Sequence, residues 1–133
     1  MTQIHYGQRP PNYEAILAVF PGASGPGVVF AYGYSIYVTG RIPLQPAILA
    51  HELVHCERQI RMGVENWWSN YLVDKSFRYD EELLAHRAEY QALVENVPTR
   101  QQRRRILADI AKKLSAPLYG RMVTFEQAKK DLA

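Results

Sequence analysis

The first forty residues carry short apolar stretches separated by breakers. Tyr13–Phe20 suits a short helix, introduced by Pro10, Pro11 and Asn12 and stopped by Pro21. Gly22 to Gly27, with Pro26 among them, is a loop. Val28–Tyr32 and Ser35–Val38 are β-branched and aromatic and are split by Gly33 and Tyr34, which predicts a tight hairpin or two adjacent strands. From about Gln45 to Met62 the period becomes helical, with Pro46 in the first turn and Gly63 as the stop. Leu49, Leu53, Cys56 and Ile60 form a stripe expected to face the core, while His51, Glu52, His55 and Gln59 face a cleft. Further helices are expected over about Glu65–Asp74 and Tyr79–Glu95. Thr99 and Gln102 have capping-box spacing and open a helix over Arg100–Ser115, which Ile106, Ile110 and Leu114 dock on the domain. Pro117 and Gly120 break it, and Thr124 with Gln127 caps a last helix, Phe125–Leu132.

With 133 residues the chain is one domain's worth, and 47% apolar against 22% charged residues is the balance of a soluble globule rather than a disordered tail. The expected architecture is a single α+β domain over residues 1–133, a small β element followed by an active-site helix and a mostly helical remainder. Residues 1–97 carry 7 Lys/Arg against 10 Asp/Glu, and residues 98–133 carry 9 against 3. The net charge of +3 therefore belongs to the C-terminal helices, over 99–133. The lone Cys56 excludes an intrachain disulfide and a Cys-rich zinc finger, is expected in the core, and points to a reducing compartment. The N-terminus reads as no ordinary signal peptide, and no apolar run approaches the ~20 residues of a membrane helix, so no membrane partner is expected.

The informative segment is His51-Glu52-Leu53-Val54-His55. Residues four apart share a helix face, so both imidazoles can bind one metal ion with Glu52 beside them as a base, the arrangement of a zinc hydrolase. Such a site needs a third protein ligand. His5 and His86 remain, and acidic candidates cluster between Asp80 and Glu89.

Ser35–Gly40, then Pro46–His55, then Glu82-x-x-Ala85-His86 together resemble the gluzincin zinc metallopeptidases over roughly residues 28–95. They look closest to small bacterial and phage gluzincin domains and to the catalytic core of the prenyl-protein (CAAX) endopeptidases. The resemblance implies a zincin-like fold, a Zn2+ cofactor, a peptide or protein substrate, and a bacterial or phage-encoded cytoplasmic protein, with virion association a variant of that. It assigns His51, His55 and Glu82 as metal ligands, with 26 residues between His55 and Glu82. It implies that Ser35–Val38 pairs with an extended substrate. Glu89 and then Glu81 are the alternative third ligands; Glu82 and Glu89 lie about 10 Å apart along one helix face and cannot share an ion.

Many gluzincins place an aspartate four residues after the ligand glutamate, where it orients the first histidine. His86 stands there, so either another group holds the His51 ring or His86 faces the cleft. The expected chemistry is peptide hydrolysis by a metal-activated water with Glu52 as base, and an oxyanion stabiliser drawn from His86, Tyr79, Tyr71 and Arg78. Trp67, Trp68 and Tyr71 are expected to be core. Two other readings compete. One is a catalytically silent metal-binding scaffold serving as an interaction module. The other is a nucleic-acid-associated protein using Arg100, Arg103, Arg104, Arg105, Lys112 and Lys113.

Overall fold

A computed structural model describes residues 2–120 and 122–133, with the backbone alone at Tyr119. The elements follow the order β1 (Gln3–Tyr6), α1 (Tyr13–Val19), β2 (Val29–Tyr32), β3 (Ser35–Val38), α2 (Pro46–Met62), α3 (Val64–Val73), α4 (Lys75–Val94), α5 (Arg100–Leu114) and α6 (Phe125–Leu132), with short 3-10 turns at Pro21–Ser24 and Pro117–Tyr119. The fold is α+β: a small sheet followed by a mostly helical chain. No helix among the described residues is long and apolar enough to cross a membrane.

β2 and β3 form the expected hairpin, pairing Tyr32 with Ser35 and Val29 with Val38. The two-residue turn places Gly33 at φ +63°, and a Cβ there would also crowd Val64 at 3.3 Å, so the position requires glycine. β1 is not among the expected strands, its four alternating residues being too few to read, yet it pairs in parallel with β3, Ile4 opposite Ile36. The sheet order is therefore β1-β3-β2, with β3 in the centre. This corrects the expectation that Ser35–Val38 is free to pair with a substrate; both of its edges are already hydrogen-bonded.

α2 packs chiefly against α4 and also under the sheet, where Cys56, Ala31 and Ile36 are buried together. The expected apolar stripe of α2 does not face inward as a unit. Leu53 is 39% and Ile60 41% exposed, whereas His51, Glu52, His55 and Gln59 are buried. The reason lies in α4, whose inner face is itself polar: Glu81, Glu82, His86 and Glu89 are all buried. Each helix supplies the other's partners, so the α2–α4 seam is hydrogen-bonded rather than apolar. Apolar packing sits on either side. Tyr13, Ile16, Phe30, Trp67, Trp68 and Tyr71 form one cluster, and Ile110, Ala111, Leu114, Ala128 and Leu132 join α5 and α6 in another. Trp67, Trp68 and Tyr71 are thus core, as expected.

The capping reading holds for both late helices: Thr99 Oγ1 accepts from Gln102 N and Thr124 Oγ1 from Gln127 N. α4 begins four residues before the expected Tyr79, because Asp74 caps it by accepting from Phe77 N.

Candidate metal centre

α2 presents His51 and His55 one turn apart, their rings 4.9 Å apart and nearly perpendicular. Facing them across the seam, α4 presents Glu82. Its Oε1 lies 3.3 Å from His51 Nε2 and its Oε2 3.0 Å from His55 Nε2. Ligands about 2.0–2.1 Å from a tetrahedral ion stand about 3.3 Å from one another, so these spacings suit one zinc-sized ion. Glu82 Oε1 is buried with no hydrogen-bond partner among the described residues, which is the condition of an oxygen kept for a cation. Two imidazole nitrogens and a carboxylate are also a zinc donor set by chemistry.

The candidate ligands are held from behind. Glu89 Oε1 lies 3.0 Å from His51 Nδ1, which fixes the ring with Nε2 toward Glu82. Tyr71 donates its hydroxyl to Glu82 Oε2 at 2.7 Å. Trp67 packs on the His55 ring at 5.2 Å. Lys113, from α5, donates to Glu89 Oε2 at 2.5 Å. Glu52 is 6% exposed, its Oε2 3.6 Å from His51 Nε2.

Burial raises the Glu52 carboxyl above the usual carboxylate range, as suits a base. Burial opposes charge on Glu82, but His55 and His51 outweigh it and hold the carboxyl well below that range. Burial likewise opposes charge on Glu89, and His51 and Lys113 still bring it to about 2. His51 loses its charged form to burial but regains it from Glu82 and Glu89, which lift it to about 10 without a bound ion. His86 is pushed down to about 4 by burial and then by the neighbouring His51.

These contacts divide the expected residues. His51, His55, Glu82 and Glu52 come together. Glu81 turns away: it takes two hydrogen bonds from Arg58 and one from Trp67 Nε1, and is no third ligand. Glu89 reaches His51 from the far side of its ring. Tyr79 is not in the site; it packs against the α5–α6 cluster and donates to Asp131, because its position on α4 faces α6. Tyr71 holds Glu82, and Arg78 donates to the Tyr71 carbonyl at 2.7 Å, so neither points at a reacting carbonyl. His86 stays close, its ring 4.4 Å from His51 and its Nδ1 2.8 Å from the Glu82 carbonyl. His51, Glu82 and His86 also bring ligand atoms within 4.8 Å of one another, as do His51, Glu52 and His55. Gln59 pins the hairpin, its amide donating to Ala31 O and accepting from Gly33 N.

Two cavities meet at Glu52. One, of about 70 Å³, runs from His51, His55 and Glu82 into the aromatic cluster past Phe20, Phe30 and Trp68. The other, of about 290 Å³, lies beside His86, Glu89 and Lys113. Val28, Val29 and Leu118 line both. The sequence signals Glu82 but not Lys113, whose place in a basic helix suggests only a solvated charge.

Scans against protein-family models, curated proteins and solved structures return no match to the chain.

Proposed function

We propose that the protein is a zinc-dependent peptidase of the gluzincin type, with His51, His55 and Glu82 as ligands and Glu52 as general base. The observation that carries this reading is the convergence of both histidine Nε2 atoms on the Glu82 carboxylate, 3.3 and 3.0 Å away, with Glu89 and Tyr71 orienting the set. Zinc held by these residues would supply a water acidified to a pKa of ~7 and a Lewis acid for a carbonyl. Glu52, buried beside His51, would be the group that takes up a proton in such chemistry and returns it to a leaving amine. His86 also lines the larger cavity, beside Glu52.

Metal analysis of the purified protein tests the ligands: zinc near one per chain in the wild type, lost in His55→Ala and Glu82→Ala and retained in Glu52→Gln. Hydrolysis of casein or a peptide pool by the wild type, absent in the zinc-retaining Glu52→Gln, tests the activity. No zinc uptake by the wild type would sink the reading. Zinc uptake without hydrolysis of any peptide would favour the silent scaffold.

A further inference from the structure

The three candidate ligands are supported unequally. Glu82 receives the Tyr71 hydroxyl on its Oε2. The His55 ring packs on Trp67, and its buried Nδ1 has no hydrogen-bond partner among the described residues. His51 differs: its Nδ1 is hydrogen-bonded to Glu89 Oε1 at 3.0 Å. Among the described residues it is the one ring of the set whose second nitrogen is held by a hydrogen bond. Such a bond fixes both the tautomer and the direction in which the ligating nitrogen points. The aim of His51 Nε2 at Glu82 therefore depends on where the Glu89 carboxylate stands.

Glu89 divides its two oxygens between two donors. His51 takes Oε1, and Lys113 Nζ lies 2.5 Å from Oε2. The Glu89 side chain is 2% exposed and that of Lys113 49%. This sets the pair apart from Glu57–Arg61, where both partners are exposed and the contact contributes little. A buried carboxylate oxygen that loses its donor is left unsatisfied. The last torsion of a glutamate is broad, and Glu89 borders the 290 Å³ cavity. Without Lys113 the carboxylate would turn toward water in that cavity and release His51 Nδ1. Lys113 belongs to the last turn of α5, and Ala116 and Leu118 just beyond it line the same cavity. The end of a helix that reads as solvated and basic is thus one wall of the candidate centre.

We propose that Lys113 is a positioning residue of the metal centre. It holds the Glu89 carboxylate against His51 Nδ1, so that α5, which lies outside the segment resembling a metallopeptidase, completes the site. This rests on the ligand set of the peptidase reading and not on its catalysis. The hydrogen bond and the charge of Lys113 act in opposite senses. The bond supports a ligand, whereas a cation near a bound metal ion repels it. The two contributions can therefore be told apart by the sign of the effect.

The test is the zinc affinity of the full chain, measured by competition with a chromophoric chelator at fixed pH. The proteins compared are the wild type, Lys113→Met, Lys113→Arg, Glu89→Gln, and Lys113→Met combined with Glu89→Gln. Methionine keeps most of the aliphatic stem at a half-exposed position, so the variant should fold, and urea unfolding of each metal-free protein checks this. Lys113→Met should weaken zinc binding about five- to tenfold, less than loss of a direct partner because it acts through Glu89. Lys113→Arg, which keeps a donor and the charge, should restore most of that loss. In the Glu89→Gln chain, Lys113→Met should weaken binding no further. A merely structural contact would weaken zinc equally in both backgrounds, and the charge alone would tighten it in both; either result would overturn the proposal. Equal affinity of the wild type and Lys113→Met would overturn it too and leave the peptidase reading standing. No zinc uptake by the wild type would remove both. The expected pattern in a protein that cleaves no peptide would uphold the positioning role and remove the peptidase reading.

Discussion

Glu89 Oε1 lies 3.0 Å from His51 Nδ1, so the carboxylate that orients the first histidine comes seven residues after Glu82, not four. Two turns of α4 separate Glu89 from Glu82 along the seam, and the His51 ring spans the gap by using one nitrogen for each. His86, in the fourth position, instead turns its Nδ1 to its own helix at Glu82 O. Partners of this kind are worth about 10–100-fold in metal affinity. Glu89→Ala should weaken zinc binding by about that factor in a chelator competition, with Glu89→Gln losing less because its amide oxygen still accepts from Nδ1. Unchanged affinity in both would mean that Glu89 serves only Lys113.

On the proposed reading, His51 should also make zinc uptake proton-coupled. Its folded-state value of about 10 lies above the 6.5 of a free imidazole. The stabilisation that its proton gives the metal-free protein is thus fully present below pH 6.5 and lost as pH rises through about 10. Zinc needs the neutral ring. Near neutral pH, binding should release about one proton, and apparent affinity should rise about tenfold per pH unit. Calorimetry in buffers of different ionisation enthalpy measures the proton directly; an enthalpy independent of buffer would refute the coupling.

Much of this site is legible in the sequence, because its parts are local. The H-E-x-x-H spacing puts His51 and His55 on one helix face, and Pro46 and Gly63 bound that helix as observed. Glu82 follows from resemblance on the next long helix. The missed features are those where partners come from elsewhere in the chain. An apolar stripe predicts which face is buried only when the neighbour is apolar. Here α4 offers Glu81, Glu82, His86 and Glu89, so Gln59 goes inside while Leu53 and Ile60 stay out. β1, Gln3–Tyr6, alternates polar and apolar over only four residues, too few to read as a strand, and is one because β3 offers it an open edge. Lys113 reads as a solvated charge until α5 docks and brings it to Glu89.

Glu81 shows a buried carboxylate serving stability alone. It accepts from Arg58 Nε and Nη2 and from Trp67 Nε1, at 3.1, 2.9 and 2.8 Å. Glu81→Ala would leave the buried Trp67 N–H unpaired, while Arg58, partly exposed, can return to water. The expected cost is about 2–3 kcal/mol in urea unfolding, one unsatisfied donor plus lost charge-assisted bonds. Zinc content should not change. Loss of zinc in a folded Glu81→Ala protein would return Glu81 to the ligand set.

Cys56 follows His55 directly but faces the sheet, 2% exposed beside Ala31 and Ile36. Burial, helped by the nearby Glu52 charge, pushes its thiol up to about 12. Thiolate is the reactive form, so the native protein should resist iodoacetamide and a disulfide dye at mildly alkaline pH and react fully in denaturant. Chelator treatment should leave the thiol protected, because its packing comes from the sheet rather than from His51, His55 and Glu82. Rapid labelling of the native chain would show that α2 separates from the sheet in solution.

The start of α5 runs against the helix dipole. Thr99 caps it well, yet its first turn holds no acidic residue and opens with Arg100, followed by exposed Arg103, Arg104 and Arg105. The free N–H groups there carry partial positive charge, so each cation in that turn is unfavourable and a carboxylate would be favourable. Arg100 is exposed and forms no ion pair among the described residues. Arg100→Glu should therefore raise stability by about 0.5–1.5 kcal/mol, the removed repulsion adding to the gained attraction, at low ionic strength. Salt screens this term, so the gain should shrink in molar sodium chloride. Chemical unfolding at both ionic strengths is the measurement. A loss of stability, or a gain that salt leaves intact, would mean that Arg100 acts through a contact rather than through the field of the helix end.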